Sequence, residues 1–192
     1  MDATLELVIL LAIGFLAGIV NTLAGGGSLF TLPILIFLGL PPQIANGTNR
    51  VVIVAQSLSG SIGYSSKGIY SYPFNIYLGI SASFGAYIGA KIALSIDGEI
   101  FNKILALVII IVGALIFIQK KKLTNFLNER TSGKYLWFSI LVFFIFGIYG
   151  GFINAGIGIL IMLFLNRLNQ MSLLKSNATK VSVVFIYSFF AL

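Results

Sequence analysis

Five stretches of this chain are long and apolar enough to cross a membrane as helices: residues 5–23, 47–64, 74–94, 100–118 and 135–153. A spanning helix needs about 20 mostly apolar residues. Only 9% of the residues are charged and 58% are hydrophobic, whereas a soluble domain carries about 25% charged residues. Because backbone polar groups inside a bilayer must be satisfied within the protein, the sequence predicts an all-α multi-pass membrane protein.

A short motif occurs twice within these apolar stretches. In each copy, two glycines one helical turn apart precede an asparagine: Gly14, Gly18 and Asn21 in the first, and Gly147, Gly151 and Asn154 in the second. Such i, i+4, i+7 positions share one side of a helix. Small residues let helices approach closely, which also explains the G-x-x-x-G pattern of Gly85 and Gly89. Glycine-interrupted apolar segments at matching places in two halves point to the midplane site of a secondary transporter.

The segments divide the chain into two unequal parts. We predict a first membrane repeat at residues 1–118, a basic linker at 119–134, and a second, incomplete membrane repeat at 135–192. The linker has five basic residues and one acidic residue, as is typical of a cytoplasmic loop. Counterparts of residues 74–94 and 100–118 are missing from the second repeat. This indicates either a C-terminally incomplete form of a longer protein or a natural minimal variant.

Two shorter apolar runs, residues 29–40 and 157–165, follow the glycine clusters. Each has about a dozen residues or fewer, so we expect half-helices or re-entrant segments. If each short run crosses the membrane, the N-terminus lies outside and the linker inside. An odd number of crossings per repeat would make the two copies inverted-topology repeats with glycine-broken helices. A last helix is expected to begin near Asn177.

Composition excludes several classes of function. The chain has no cysteine and no histidine, which removes thiol catalysis, imidazole chemistry and most transition-metal sites, so we expect no enzyme, no cofactor and no metal. The net charge of +7 is explained by basic loops beside membrane segments, so nucleic acid is not an expected partner. No carboxylate lies deep in a predicted span, which argues against a proton relay built on one.

Several strings of residues resemble the sulfite exporter TauE/SafE family. They are N-T-L-A-G-G-G-S at 21–28, L-G-L-P-P at 38–42, A-N-G-T-N-R at 45–50 and Q-S-L-S-G at 56–60, with weaker elements at 150–158 and 177–180. The resemblance covers nearly the whole chain. It implies a bacterial-type multi-pass permease of the inner membrane, and sulfur oxyanions and organosulfonates are substrates suggested for some members.

The candidate substrate-binding residues lie in and beside the two motif copies: Asn21, Gly25, Gly26, Gly27, Ser28, Asn46, Thr48, Asn49, Arg50, Gln56, Asn154, Gly158, Asn177 and Lys180. The asparagines would supply amide donors and acceptors to a substrate. The alternative is that they only form hydrogen bonds between helices and fix their packing. The three consecutive glycines would break the first helix, and Ser28 could cap the next one. A helix N-terminus in a cavity is a ready anion site.

The segment around Arg50 carries the most chemistry. Asn46 or Thr48 is a natural N-cap residue, and Asn49 and Gln56 begin a polar and small stripe along the helix that follows. A guanidinium matches oxyanions well, while the alternative for Arg50 is a side chain that snorkels to the interface. Lys180 is its approximate counterpart in the second copy, and snorkelling would equally explain it.

The sequence therefore predicts a secondary transporter, or permease, for a small anion, such as sulfite or another sulfur oxyanion or organosulfonate. An anion channel or a non-transporting membrane assembly subunit are the alternatives. The expected partners are a small anionic substrate and the lipid bilayer, and the oligomeric state stays open.

Overall fold

The protein is described here from a computed structural model covering residues 3–118 and 129–192. Within these ranges all regular secondary structure is α-helical, which confirms the predicted all-α class, while the inverted relation of the two repeats stays a prediction. The eight helices are α1 (Ala3–Ala24), α2 (Ser28–Phe37), α3 (Pro42–Ser65), α4 (Phe74–Ser95), α5 (Gly98–Ile118), α6 (Gly133–Phe152), α7 (Ile157–Arg167) and α8 (Leu173–Phe190). Most of the predicted linker, residues 119–128, lies outside the described residues.

Three described helices are long and apolar enough to cross a membrane: Phe74–Ser95, Gly98–Leu115 and Gly133–Phe152. The shorter apolar segments are Gly14–Leu23 of α1 and the whole of α2 and α7. Helix α3 was predicted as a span but is not among the three, because polar residues interrupt its apolar sequence. Many of these polar side chains, including Asn46, Asn49 and Ser57, are buried against other helices.

Two helix starts differ from the predictions. Helix α3 begins at Pro42, five residues before the predicted start, because a proline fits the first turn of a helix, where its missing N–H has no partner anyway. Asn46 and Thr48 are therefore interior helical residues and not N-caps. Helix α8 begins at Leu173, not near Asn177, and the side chain of Ser172 accepts a hydrogen bond from the backbone N–H of Lys175 at 3.3 Å.

Helices α4 and α6 pack with their backbones in contact. A Cβ atom on Gly85 would overlap the carbonyl oxygen of Phe144, and one on Gly147 would overlap that of Ala82. Gly89 and Gly151 meet the partner backbone in the same way one turn further along. The predicted packing role of these small residues is therefore confirmed, since only glycine leaves room for such an approach.

The two copies of the motif are interleaved in space. Helix α4 packs against α6 and α8, and α3 packs against α8. Large apolar side chains cover the outer surface, such as Phe37, which is 91% exposed, and Ile110, which is 68% exposed. An outer surface of this kind suits contact with lipid and not with water.

Candidate functional site

The two helix breaks touch one another. Gly25, directly after α1, has a φ of 78°, and Gly156, directly before α7, has a φ of 71°. Left-handed backbone of this kind costs glycine little. A Cβ on Gly25 would overlap the backbone of Gly158, and a Cβ on Gly158 would overlap Gly25 in return. The breaks that the sequence predicted in separate halves therefore lie at one point.

A cavity lies beside this contact. Seven of the predicted residues line it: Asn21, Gly25, Ser28, Gln56, Asn154, Gly158 and Lys180. Thr22, Ser57 and four aliphatic side chains complete its wall. The cavity has a free volume of only about 20 Å³, comparable with the roughly 10–15 Å³ that one water molecule needs. The five helices around it are closed in this structure.

Asn21 and Gln56 form the amide wall of the cavity. The Asn21 side-chain N–H₂ donates to Gln56 Oε1 at 2.9 Å. The Gln56 N–H₂ donates to the carbonyl oxygen of Gly18 and to Thr22 Oγ1, the latter at 3.2 Å. These bonds join the last turns of α1 to the middle of α3.

Asn154 lies in the second break and not on the face of a helix, which corrects the predicted geometry. Helix α6 ends at Phe152, and Asn154 has a φ of 55°. The Tyr187 hydroxyl donates to Asn154 Oδ1 at 2.7 Å. The backbone N–H of Asn154 donates to the carbonyl oxygen of Tyr149 at 3.4 Å, whereas its side-chain N–H₂ has no hydrogen-bond partner among the described residues. The residue borders the cavity.

Lys180 brings a charge to the cavity. Lys180 is only 2% exposed. Its ammonium group donates hydrogen bonds to the carbonyl oxygens of Asn21 and Thr22, both at 3.0 Å. The Asn21 oxygen also accepts from the backbone N–H of Gly25 at 2.8 Å, so the ammonium is its second donor. An ammonium has three N–H groups, so one remains available. The ion pairs within the described residues are Lys103 with Glu99 and Lys175 with Glu129, so Lys180 has no counter-charge there.

Arg50 lies outside this cavity. It is 5% exposed, and its guanidinium donates to the carbonyl oxygens of Gly151 and Ala191, at the ends of α6 and α8. Asn46, one turn earlier on α3, donates to the carbonyl oxygen of Phe152 at 2.9 Å. Both residues border a separate cavity that also contains Gln43.

The other predicted residues are dispersed. Asn49 is buried and accepts from the Thr31 hydroxyl at 2.6 Å, and Asn177 donates to the Tyr64 hydroxyl at 2.7 Å. Thr48 is exposed. Ser28 does not cap α2, because the N-cap residue is Gly27 and no side chain bonds to the helix end.

Gly26 and Gly27 are buried within the first break. A Cβ on Gly27 would overlap the carbonyl oxygen of Ala17 and would lie 2.5 Å from the Cβ of Asn21. This glycine therefore lets the chain fold back along α1 to begin α2.

Sequence reasoning missed Thr22, Ser57 and Tyr187. A signal for Tyr187 was present, because it follows Asn177 by ten residues, as Gln56 follows Asn46. The two side chains have matching partners: Gln56 contacts Asn21 of the first motif copy, and Tyr187 contacts Asn154 of the second. The spacing is visible in the sequence, but spacing alone does not show that a tyrosine takes the place of a glutamine.

Fold and site together define a helical multi-pass membrane protein with a polar site buried where two broken helices meet. The chain belongs to the sulfite exporter TauE/SafE family, whose model, described as Sulfite exporter TauE/SafE, matches residues 10–192. This confirms the resemblance drawn from the motif strings. Members of the family are named membrane transporters and not enzymes.

The chain is similar to several proteins named as probable membrane transporters. It is 33% identical over 159 residues to one from Haemophilus influenzae, covering 82% of this chain and 62% of the relative. It is 27% identical over 172 residues to the ORF9 protein of a Sinorhizobium species, covering 90% and 65%. It is 28% identical over 159 residues to the Escherichia coli protein YfcA, covering 82% and 58%.

The chain thus spans less than two thirds of the length of these relatives. No solved structure matches it.

Proposed function

We propose that this chain is a secondary membrane transporter for a small anion, such as sulfite or another sulfur oxyanion or organosulfonate. One observation carries the proposal: a buried ammonium, that of Lys180, borders the cavity between the two helix breaks without a carboxylate partner among the described residues. A buried charge is costly unless it is paired, and an anionic substrate would supply the missing charge.

The rest of the cavity wall suits an oxyanion. Asn154 has amide N–H groups to donate, and Ser28 and Gly158 bring the N-terminal ends of α2 and α7 to the cavity. The first N–H groups of a helix have no partner within it and carry a partial positive charge, which favours anions. An oxyanion with three or more oxygens could accept from several of these donors at once.

Transport requires the site to open. The free volume of about 20 Å³ admits a water molecule but no oxyanion, so the helices around the cavity must separate before substrate enters. We propose that the two motif copies, 1–118 and 135–192, act as repeats that rock against one another around the contact of Gly25 with Gly158, as in other carriers with broken helices. In this proposal the protein lies in the inner membrane, with linker 119–134 in the cytoplasm.

The test is binding of labelled sulfite to the chain in lipid nanodiscs, with sulfate, taurine and acetate as competitors. Lys180→Met should lower sulfite affinity on the order of tenfold to a hundredfold, because a charge-assisted hydrogen bond is lost. Lys180→Arg, which keeps the charge, should retain part of the affinity.

Lys175→Met is the matched control, since Lys175 lies on the same helix but pairs with Glu129 away from the cavity. Affinities are compared per folded molecule, so that a loss of stability is not mistaken for a loss of binding. Equal sulfite affinity in Lys180→Met and in the control would refute Lys180 as the anion site. Absence of binding by any of these anions to the unsubstituted chain would refute the substrate class.

A further inference from the structure

Each motif copy donates hydrogen bonds to the helix end that precedes the break of the other copy. Arg50 on α3, which follows the first break, bonds to the end of α6, the helix before the second break. Lys180 on α8, which follows the second break, bonds to the end of α1, the helix before the first. Each cation thus binds main-chain carbonyls of the opposite copy. Neither motif copy by itself predicts this reciprocal pair of contacts.

The end of α6 is bound by two side chains of α3. The carbonyls of its last two residues both have partners on α3: Gly151 accepts from Arg50, and Phe152 accepts from Asn46 at 2.9 Å. The same guanidinium also donates to the carbonyl of Ala191 at the end of α8. A planar fork with five donors can bridge two carbonyls on different helices, whereas a compact ammonium cannot hold both in one geometry.

The end of α6 determines where Asn154 lies. Only Ile153 separates the last residue of α6 from Asn154, whose φ of 55° sets the turn toward the cavity. Asn21, near the first break, and Asn154, in the second break, both border the cavity. Because a single residue links them, a shift of the α6 end would be passed on to Asn154.

We infer that Arg50 is a positioning residue, which holds the end of α6 and thereby presents Asn154 to the substrate cavity without contacting the substrate. This inference rests on the proposed function, because it assigns Asn154 to the same anion site. It differs from the sequence-based expectation, in which Arg50 binds the anion directly.

A double-substitution experiment separates the two roles. Arg50→Lys should lower sulfite affinity about fivefold to twentyfold in the unsubstituted chain. In the Asn154→Gly background the same substitution should change affinity less than about twofold, because a residue that acts through Asn154 has nothing left to position. Asn46→Leu, which removes the other bond to the α6 end, should behave like Arg50→Lys.

Arg167→Lys serves as the control, because Arg167 is exposed on α7. If the losses from Arg50→Lys and Asn154→Gly multiply, Arg50 contacts the anion itself and the inference is wrong. If Arg50→Lys leaves the affinity of folded molecules unchanged and only lowers their thermal stability, Arg50 has a structural role alone and the inference is equally wrong.

A ligand-free measurement distinguishes failure of this inference from failure of the proposed function. Backbone hydrogen exchange at residues 152–156 should accelerate about tenfold in Arg50→Lys, since local opening becomes easier, while exchange in α4 stays the same. Unchanged exchange at residues 152–156 would overturn the positioning role whether or not the chain binds sulfite. Faster exchange at residues 152–156 in a chain that binds no sulfite would support the role of Arg50 at the end of α6 but refute sulfite as the substrate.

Discussion

Asn154 adopts a backbone conformation that residues other than glycine seldom adopt. Its φ of 55° lies in the left-handed region, which asparagine tolerates better than most residues. Its amide also borders the cavity and accepts a hydrogen bond from Tyr187. The residue therefore combines a backbone role, the turn between α6 and α7, with a side-chain role at the site.

Two substitutions of Asn154 separate these roles. Asn154→Gly keeps the left-handed turn but removes the amide, so sulfite affinity should fall about tenfold with little change in stability. Asn154→Ala should lower sulfite affinity by the same factor. It should also lower the free energy of unfolding by about 1 kcal/mol, because left-handed backbone is unfavourable for alanine. Binding and denaturant unfolding in detergent measure the two effects. Unchanged sulfite affinity in Asn154→Gly would show that Asn154 forms the turn but that its amide does not bind the anion.

The two helix breaks differ in length although their motifs match. The first separates Ala24 of α1 from Ser28 of α2, and α1 continues past Asn21. The second separates Phe152 of α6 from Ile157 of α7 and contains Asn154. Despite this difference both bring a glycine, Gly25 or Gly158, to the contact between them. The contact is main chain against main chain, which leaves no space for a side chain on either partner.

Gly158→Ala tests this contact without left-handed backbone strain, because Gly158 lies within α7. The added methyl group would overlap Gly25, so we expect a loss of about 1–3 kcal/mol in unfolding free energy. Gly113→Ala is the matched control: it lies within α5 with open space around it, and alanine there should be neutral or stabilise by up to about 1 kcal/mol. Equal stability of both variants would show that the two breaks are not in contact.

At the scale of the whole molecule, the two motif copies do not form separate bodies. Helices α3 and α4 of the first copy pack against α6 and α8 of the second, and the site draws residues from both. A relative rotation of the copies must therefore break or slide contacts such as those of Gly85 and Gly147. Smooth main-chain surfaces of glycine suit sliding better than interlocked side chains do.

Orientation in the membrane is a prediction for the whole molecule. Five crossings before a cytoplasmic linker would leave the N-terminus outside, and the chain contains no native cysteine. A cysteine at Thr4 should then react with an impermeant maleimide in intact cells, whereas one at Thr131 should react only after permeabilisation. The reverse pattern would keep an odd number of crossings but exclude the predicted orientation. Accessibility of both sites from the same side, whether in intact cells or only after permeabilisation, would exclude five crossings between them.

Much of the fold could be predicted from the sequence because it depends on local properties. Apolar runs of helical length determine the membrane class. The consecutive glycines after Asn21 mark the first break, and the spacing of Gly85 and Gly89 marks a close helix contact. Helix starts were less predictable: α3 begins at Pro42 because a proline in the first turn outweighed the capping preference of Asn46 and Thr48.

The sequence by itself determined that this is a helical membrane protein with two glycine-broken segments, because hydrophobicity and glycine act on the chain locally. Only the tertiary structure decided which polar groups meet. Arg50 and Lys180 both suited an anion by charge, yet Arg50 bonds to a carbonyl 101 residues away and Lys180 borders the cavity. The packing of distant helices determines such partners, since a buried cation binds the carbonyl oxygens that this packing brings within reach.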